Sequence, residues 1–144
     1  MVRAVAVFVA LALAATACGK TTAFRPAQVE RAFRDGGLQL ERARELERRF
    51  HDAAGGARGA VARMLGKDVP LPERIYVAPQ LRDEADFYVA VFKRPTKPED
   101  VAGGEQALRA IRRQGLVVED RANVIVVADA RLRARVRRVL RRLG

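Results

Sequence analysis

The sequence predicts an α+β domain: a small antiparallel sheet with helices packed on it, in the order β-β-α-β-β-α over residues 73–144, preceded by a helical part over 26–68. Three observations carry this. Two β-branched and aromatic runs, Ile75–Ala78 and Phe87–Phe92, stand either side of a polar turn at Gln80–Glu84 and read as a hairpin. Two further apolar runs, Leu116–Val118 and Val124–Val127, flank Asp120–Asn123 and read as a second. After each hairpin, apolar residues recur at helical spacing. Local hairpins joined to amphipathic helices build an antiparallel sheet covered by helices.

Taken in order, Pro26 suits the first position of a helix running to about Asp35. Phe24 and Val29 have the spacing of a hydrophobic staple, and Gln28 stands at the third helical position. Val29, Ala32 and Phe33 make the apolar stripe, and Gly36-Gly37 ends it. From Leu38 to Gly66 the pattern is loosely helical through Leu40, Ala43, Leu46 and Phe50. Glu41, Glu45, Arg48 and Arg49 are available there as surface pairs, and Leu38–Arg42 reads alternatively as a strand. Val61, Ala62 and Leu65 suggest another short helix.

Pro70 and Pro72 lead into the first hairpin. Thr96 and Glu99 have capping-box spacing and predict a helix to about Gln114, weakened by Gly103-Gly104 and closed by Gly115 in a left-handed cap. Val101, Leu108 and Ile111 fall on one face of it. The last helix is predicted from Ala130 to Leu143, with Leu132, Val136, Val139, Leu140 and Leu143 in a stripe about 100° wide. In the strand 87–92, Phe87, Val89 and Val91 point one way and Tyr88, Ala90 and Phe92 the other. Both faces are apolar, so both call for cover, and the N-terminal helices are the expected cover for the second.

Residues before 26 read as an address. One charge, Arg3, precedes an apolar or small run from Ala4 to Ala17. As a helix this run would span roughly 21 Å, short of a hydrocarbon core of about 30 Å, but it suits a secretory h-region. The run ends Ala15-Thr16-Ala17-Cys18-Gly19, and Cys18 is the sole cysteine. These residues resemble the lipobox of bacterial lipoproteins, with Ala15 standing where that family more often has leucine. The resemblance implies cleavage after residue 17 and a diacylglycerol thioether on Cys18. It divides the chain into a signal peptide over 1–17, a lipid-anchored tether over 18–25 and a single domain over 26–144. A second resemblance, to small lipoproteins of high-GC Gram-positive bacteria with no assigned activity, is carried by Phe24, Gln28-Val29, Ala32-Phe33 and Val89–Phe92. Asn123–Val127, Arg135-Val136 and Leu140 complete it. It implies an envelope lipoprotein and brings over no catalytic residue.

The composition bounds the chemistry. The 127 residues left after residue 17 (144 − 17) form one domain, able to bury a core without disulfides. The formal net charge of the whole chain is +11, which attracts anionic partners within about 8 Å at physiological salt. There is no serine, one histidine (His51) and one cysteine. A serine nucleophile and a histidine metal cluster are therefore excluded within one chain, the lipobox resemblance implies that the one thiol is taken from any Cys–His pair, and no glycine-rich loop has phosphate-binding spacing. No cofactor and no metal are expected. Carboxylates remain, at Asp83-Glu84 with Asp86, Glu99-Asp100 and Glu119-Asp120. All lie in predicted turns or first helical turns, where acids are favoured for solvation and capping, and His51 sits among Arg48, Arg49 and Asp52 as a solvated side chain.

The last helix carries seven arginines: Arg131, Arg133, Arg135, Arg137, Arg138, Arg141 and Arg142. A charged face opposite an apolar stripe is first a solvated surface, but Arg131, Arg135, Arg137, Arg138, Arg141 and Arg142 are candidates for contact with anionic lipid or envelope polymer. The expectation is a lipid-anchored module on the extracytoplasmic face of the cell membrane, non-catalytic, with no nucleic-acid partner. Two rivals stand beside it. One is an exported enzyme using the turn carboxylates, favoured by a cleft that gathers two acid groups. The other is a small-ligand carrier using the second sheet face, favoured by an open apolar groove at Tyr76, Tyr88 and Phe92 and opposed by a face covered by residues 26–66.

Overall fold

The computed structural model describes residues 22–56, 64, 69–101 and 104–144. The expected signal peptide, Cys18, the first part of the expected tether and the helix expected around Val61, Ala62 and Leu65 lie outside the described residues. Helix α1 is Pro26–Asp35, β1 is Glu41–Arg42 and α2 is Arg44–Gly55. Strands β2 (Pro72–Val77) and β3 (Phe87–Phe92) follow, then α3 (Gly104–Arg113), β4 (Leu116–Arg121), β5 (Val124–Asp129) and α4 (Arg133–Arg142). The five strands form one antiparallel sheet in the order β1-β2-β3-β5-β4. The fold is α+β, and its C-terminal half has the expected β-β-α-β-β-α order. No helix among the described residues is long and apolar enough to cross a membrane.

Helix α1 begins as its sequence dictates. Pro26 takes the first turn, where its missing N–H costs nothing, and Gln28 Oε1 accepts from Arg25 N at 2.8 Å. At the other end Gly37 adopts φ +80, and Arg135 donates from Nε and Nη2 to the carbonyl of Gly36 and from Nη2 to that of Gly37 at 3.0–3.2 Å. A cation there meets the negative end of the helix dipole. Arg121 does the same for α4, donating from Nη1 to the carbonyl of Leu140 at 2.6 Å.

The core lies on one face of the sheet. Phe87, Val89 and Val91 of β3, Val124, Val126 and Ala128 of β5, and Tyr76 of β2 are buried against Val29 and Phe33 of α1 and Val136, Val139 and Leu140 of α4. The rings of Phe33 and Phe87 meet edge-on at 5.8 Å. Each fully buried side chain of this size contributes roughly 1.5–3 kcal/mol, so this set dominates the stability. Gly36 permits the α1–α4 contact, since a Cβ there would stand 2.5 Å from Val139 Cγ2.

Several boundaries differ from the sequence reading. Residues 38–42 hold a strand, two residues long, which pairs with β2 through Glu41↔Val77 and Arg42↔Tyr76. Thr96 and Glu99 form no capping box. Thr96 Oγ1 donates to the carbonyl of Arg94 and its N–H to that of Ala122, while Pro98–Asp100 makes a separate 3₁₀ turn. Gly104, at φ +46, marks the break before α3, whereas Gly115, at φ +77, ends it as expected. The second hairpin is longer than predicted because β4 and β5 pair through Arg121↔Val124 across Ala122 and Asn123. The last helix opens with a 3₁₀ turn at Ala130–Leu132.

Candidate functional site: an apolar groove on the second sheet face

Strand alternation sends Tyr88, Ala90 and Phe92 away from the core, together with their register partners Ile75 of β2 and Ile125 and Val127 of β5. Val118 of β4 joins them through its pairing with Val127. This second face is the floor of a groove of about 370 Å³. Leu46 and Phe50 of α2 make one wall, Ala107, Leu108 and Ile111 of α3 the other, and Pro98 and Val101 close one end. Among the described residues no charged side chain lines it, and the Tyr88 hydroxyl is the one polar side-chain group of the lining. Phe50 and Tyr88 keep 41% and 38% of their surface exposed, which leaves the groove open to solvent.

One expectation about this face is corrected. Tyr76 is not part of it: pairing with Val89 turns its ring into the core, where it is 3% exposed. Its hydroxyl donates to Glu30 Oε1 of α1 at 2.6 Å, and burial first, then that bond, holds the phenol well above its ordinary range. Of the N-terminal helices expected to cover the second face, the one around Val61, Ala62 and Leu65 lies outside the described residues. α1 packs on the first face, and of residues 26–56 Leu46 and Phe50 are the ones that reach the groove.

Helix α2 is seated by a group the sequence did not single out. Glu47 is 8% exposed, accepts from Arg42 Nε and Nη2 at 2.8–3.1 Å, and accepts from the Ile75 amide at 3.0 Å. The Arg42 hydrogen bonds outweigh burial and hold its carboxyl below the usual range. The expected surface pairs of Glu45 with Arg48 and Arg49 also form. Asn123, fully buried, ties the entering chain to the sheet. Its Oδ1 accepts from Phe24 N at 2.6 Å, and its Nδ2 donates to the carbonyls of Phe24 and Phe92.

The arginine face divides. Arg133 and Arg137 donate to the two oxygens of Glu119 at 2.6 and 2.8 Å. Burial raises the Glu119 carboxyl, but these bonds prevail and hold it low. Arg135 caps α1, and Arg131 binds Asp129 and the carbonyl of Glu84. Arg131, Arg135 and Arg137, three of the expected surface-contact residues, thus serve contacts within the fold. Arg138, Arg141 and Arg142 are exposed.

Among the carboxylates, Asp83, Glu84 and Asp86 are exposed at the β2–β3 turn. Burial raises the Asp120 carboxyl, helped by the charges of Glu99 and Glu119 and opposed by Lys97. The fold thus brings two of the acid groups together, at an exposed position. His51 is exposed on α2. Among the described residues no group of three or more His, Cys, Asp or Glu could hold a metal ion. No family model, curated protein or solved structure matches this chain.

Proposed function

We propose that the chain is an exported, lipid-anchored module of the cell envelope that binds an uncharged apolar molecule in the groove between α2, α3 and the sheet. The observation that carries this is the groove itself: about 370 Å³ with no charged side chain in its lining among the described residues. Ligand sites occupy roughly 300–1,000 Å³ and are lined mainly by apolar and aromatic side chains with a few polar groups. Here the Tyr88 hydroxyl is the one side-chain group available to orient a ligand, so the fit is to a hydrocarbon chain or ring system with at most a neutral head.

A charged ligand would lose its hydration with nothing to replace it. An alcohol that buries about six methylenes would gain roughly 5 kcal/mol, a dissociation constant of a few tenths of a millimolar. The reading makes the domain a binding module and not an enzyme, in keeping with the absence of serine and the single histidine. Its test is displacement of a neutral environment-sensitive fluorophore from the full chain by 1-decanol. Ala107→Trp, which fills the groove from the α3 wall, should abolish probe binding while leaving the unfolding midpoint within a few degrees. Equal probe binding by this variant would refute the groove as the site.

A further inference from the structure

The layer formed by α1 and α4 covers the opposite face of the sheet from the groove. The two helices run antiparallel: Arg135, near the start of α4, reaches the end of α1 at Gly36 and Gly37, and Gly144, past the end of α4, lies against Phe24 ahead of α1. Arg142 shares a crevice with Arg31 and Asp35. At 100° per residue, Arg138 and Arg141 stand opposite the buried stripe of Val136, Val139 and Leu140, and Arg31 and Arg34 stand opposite Val29 and Phe33. All four, with Arg142, are exposed. Among the described residues none of these five arginines has an ion pair, in contrast to Arg131, Arg133 and Arg137.

We infer that this outer face of the α1–α4 layer docks on an anionic phospholipid bilayer, with the groove turned away from it. Five guanidinium groups beside the Asp35 carboxylate offer a basic surface on the two helices, complementary in charge to a sheet of phosphates. Each basic residue held at such a surface strengthens binding about fivefold. A single-stranded nucleic acid would also want aromatic platforms, and the exposed aromatics, Phe50 and Tyr88, lie at the groove. The chain enters the fold at one end of this layer, through Phe24 and Arg25 at the start of α1. An anchor at Cys18 would therefore hold this layer within roughly 20 Å of the bilayer, the reach of about six extended residues. The inference does not depend on what the groove takes.

The test compares the partitioning of the full chain onto phosphatidylcholine vesicles with and without phosphatidylglycerol, so that apolar contributions cancel in the ratio. Arg138→Gln/Arg141→Gln/Arg142→Gln should lower the anionic-to-neutral ratio about a hundredfold, and Arg31→Gln/Arg34→Gln about 25-fold. Arg49→Gln/Arg112→Gln/Arg113→Gln removes the same charge from α2 and α3 and should change it less than about fivefold. An equal fall in that control would show a response to net charge and overturn the docking face. So would an unchanged ratio in the first two variants, or a loss confined to oligonucleotide binding. Retained decanol binding in all three variants separates this outcome from any failure of the groove reading.

Discussion

Arginine does several different jobs in this chain, and its surroundings decide which. Arg135 and Arg121 spend their planar donors on carbonyls at helix C-termini, and Arg133 and Arg137 share the two oxygens of Glu119. Arg42 is the partner of a buried acid. That pair has a consequence with pH. The folded pKa of Glu47 lies below its unfolded value, so its contribution is fully present above about pH 4.3. It is lost as pH falls through the lowered folded value, and Glu119 adds to the same acid limb. Glu47→Gln keeps an acceptor for the Ile75 amide but removes the charge. It should lower stability at neutral pH by about 1–3 kcal/mol and flatten the acid limb of a urea-midpoint curve measured from pH 6 to 3. An undiminished acid limb in the variant would assign the whole effect to other carboxylates. Neither Glu47 nor Asn123 is legible in the sequence as a buried group. Glu47 sits in a charged run that reads as surface, and Asn123 in a polar turn. Only the long-range contacts to Ile75 and to Phe24 and Phe92 bury them.

At the scale of elements, packing distance decides which glycines matter. Gly36 lies where α1 crosses α4, and an added methyl would collide with Val139, a β-branched residue with little rotamer freedom. Gly36→Ala should cost about 1–3 kcal/mol as overpacking. Gly55, where an added methyl would meet nothing within 4 Å, should accept alanine at the end of α2 with a gain of up to about 1 kcal/mol. Chemical denaturation of both variants checks the pair, and equal effects would contradict the account of the crossing. Helices and hairpins alike can be read from periodicity: Pro26, Gly36-Gly37 and Gly115 punctuate α1 and α3 as their chemistry requires. The failure at Thr96 is equally physical. A capping box needs helical geometry at once, but Thr96 N is taken by the carbonyl of Ala122, and the prolines and Gly104 delay the helix. The strands run past their apolar runs because pairing extends β4 and β5 through Glu119–Arg121, Ala128 and Asp129, whose side chains carry little strand signal.

For the whole molecule, the sheet separates two surfaces. One face is sealed by α1 and α4 into the core, and the other is left as the groove between α2 and α3. Alternation in 87–92 predicts two apolar faces, and the fold supplies both. What alternation cannot supply is register. Residue type groups Tyr76 with Tyr88 and Phe92, but pairing with Val89 places it in the core. The second apolar face of 87–92 is the signal in the sequence that points to the groove. The proposed address rests on residues 1–18 and has its own check. The expressed chain should have the mass of a diacylated product beginning at Cys18 and partition with membranes, and Cys18→Ala should lose both. A full-length, unmodified, soluble product would contradict the anchor.

The groove is the central claim, and methyl-resolved NMR of the full chain titrated with 1-decanol tests it most directly. Leu108, Ile111, Ile125 and Val127 at the groove should shift with a common saturation curve, while Val29, Val136 and Val139 of the opposite core stay in place. No saturable shift at the groove, or shifts of equal size in the α1–α4 core, would contradict it.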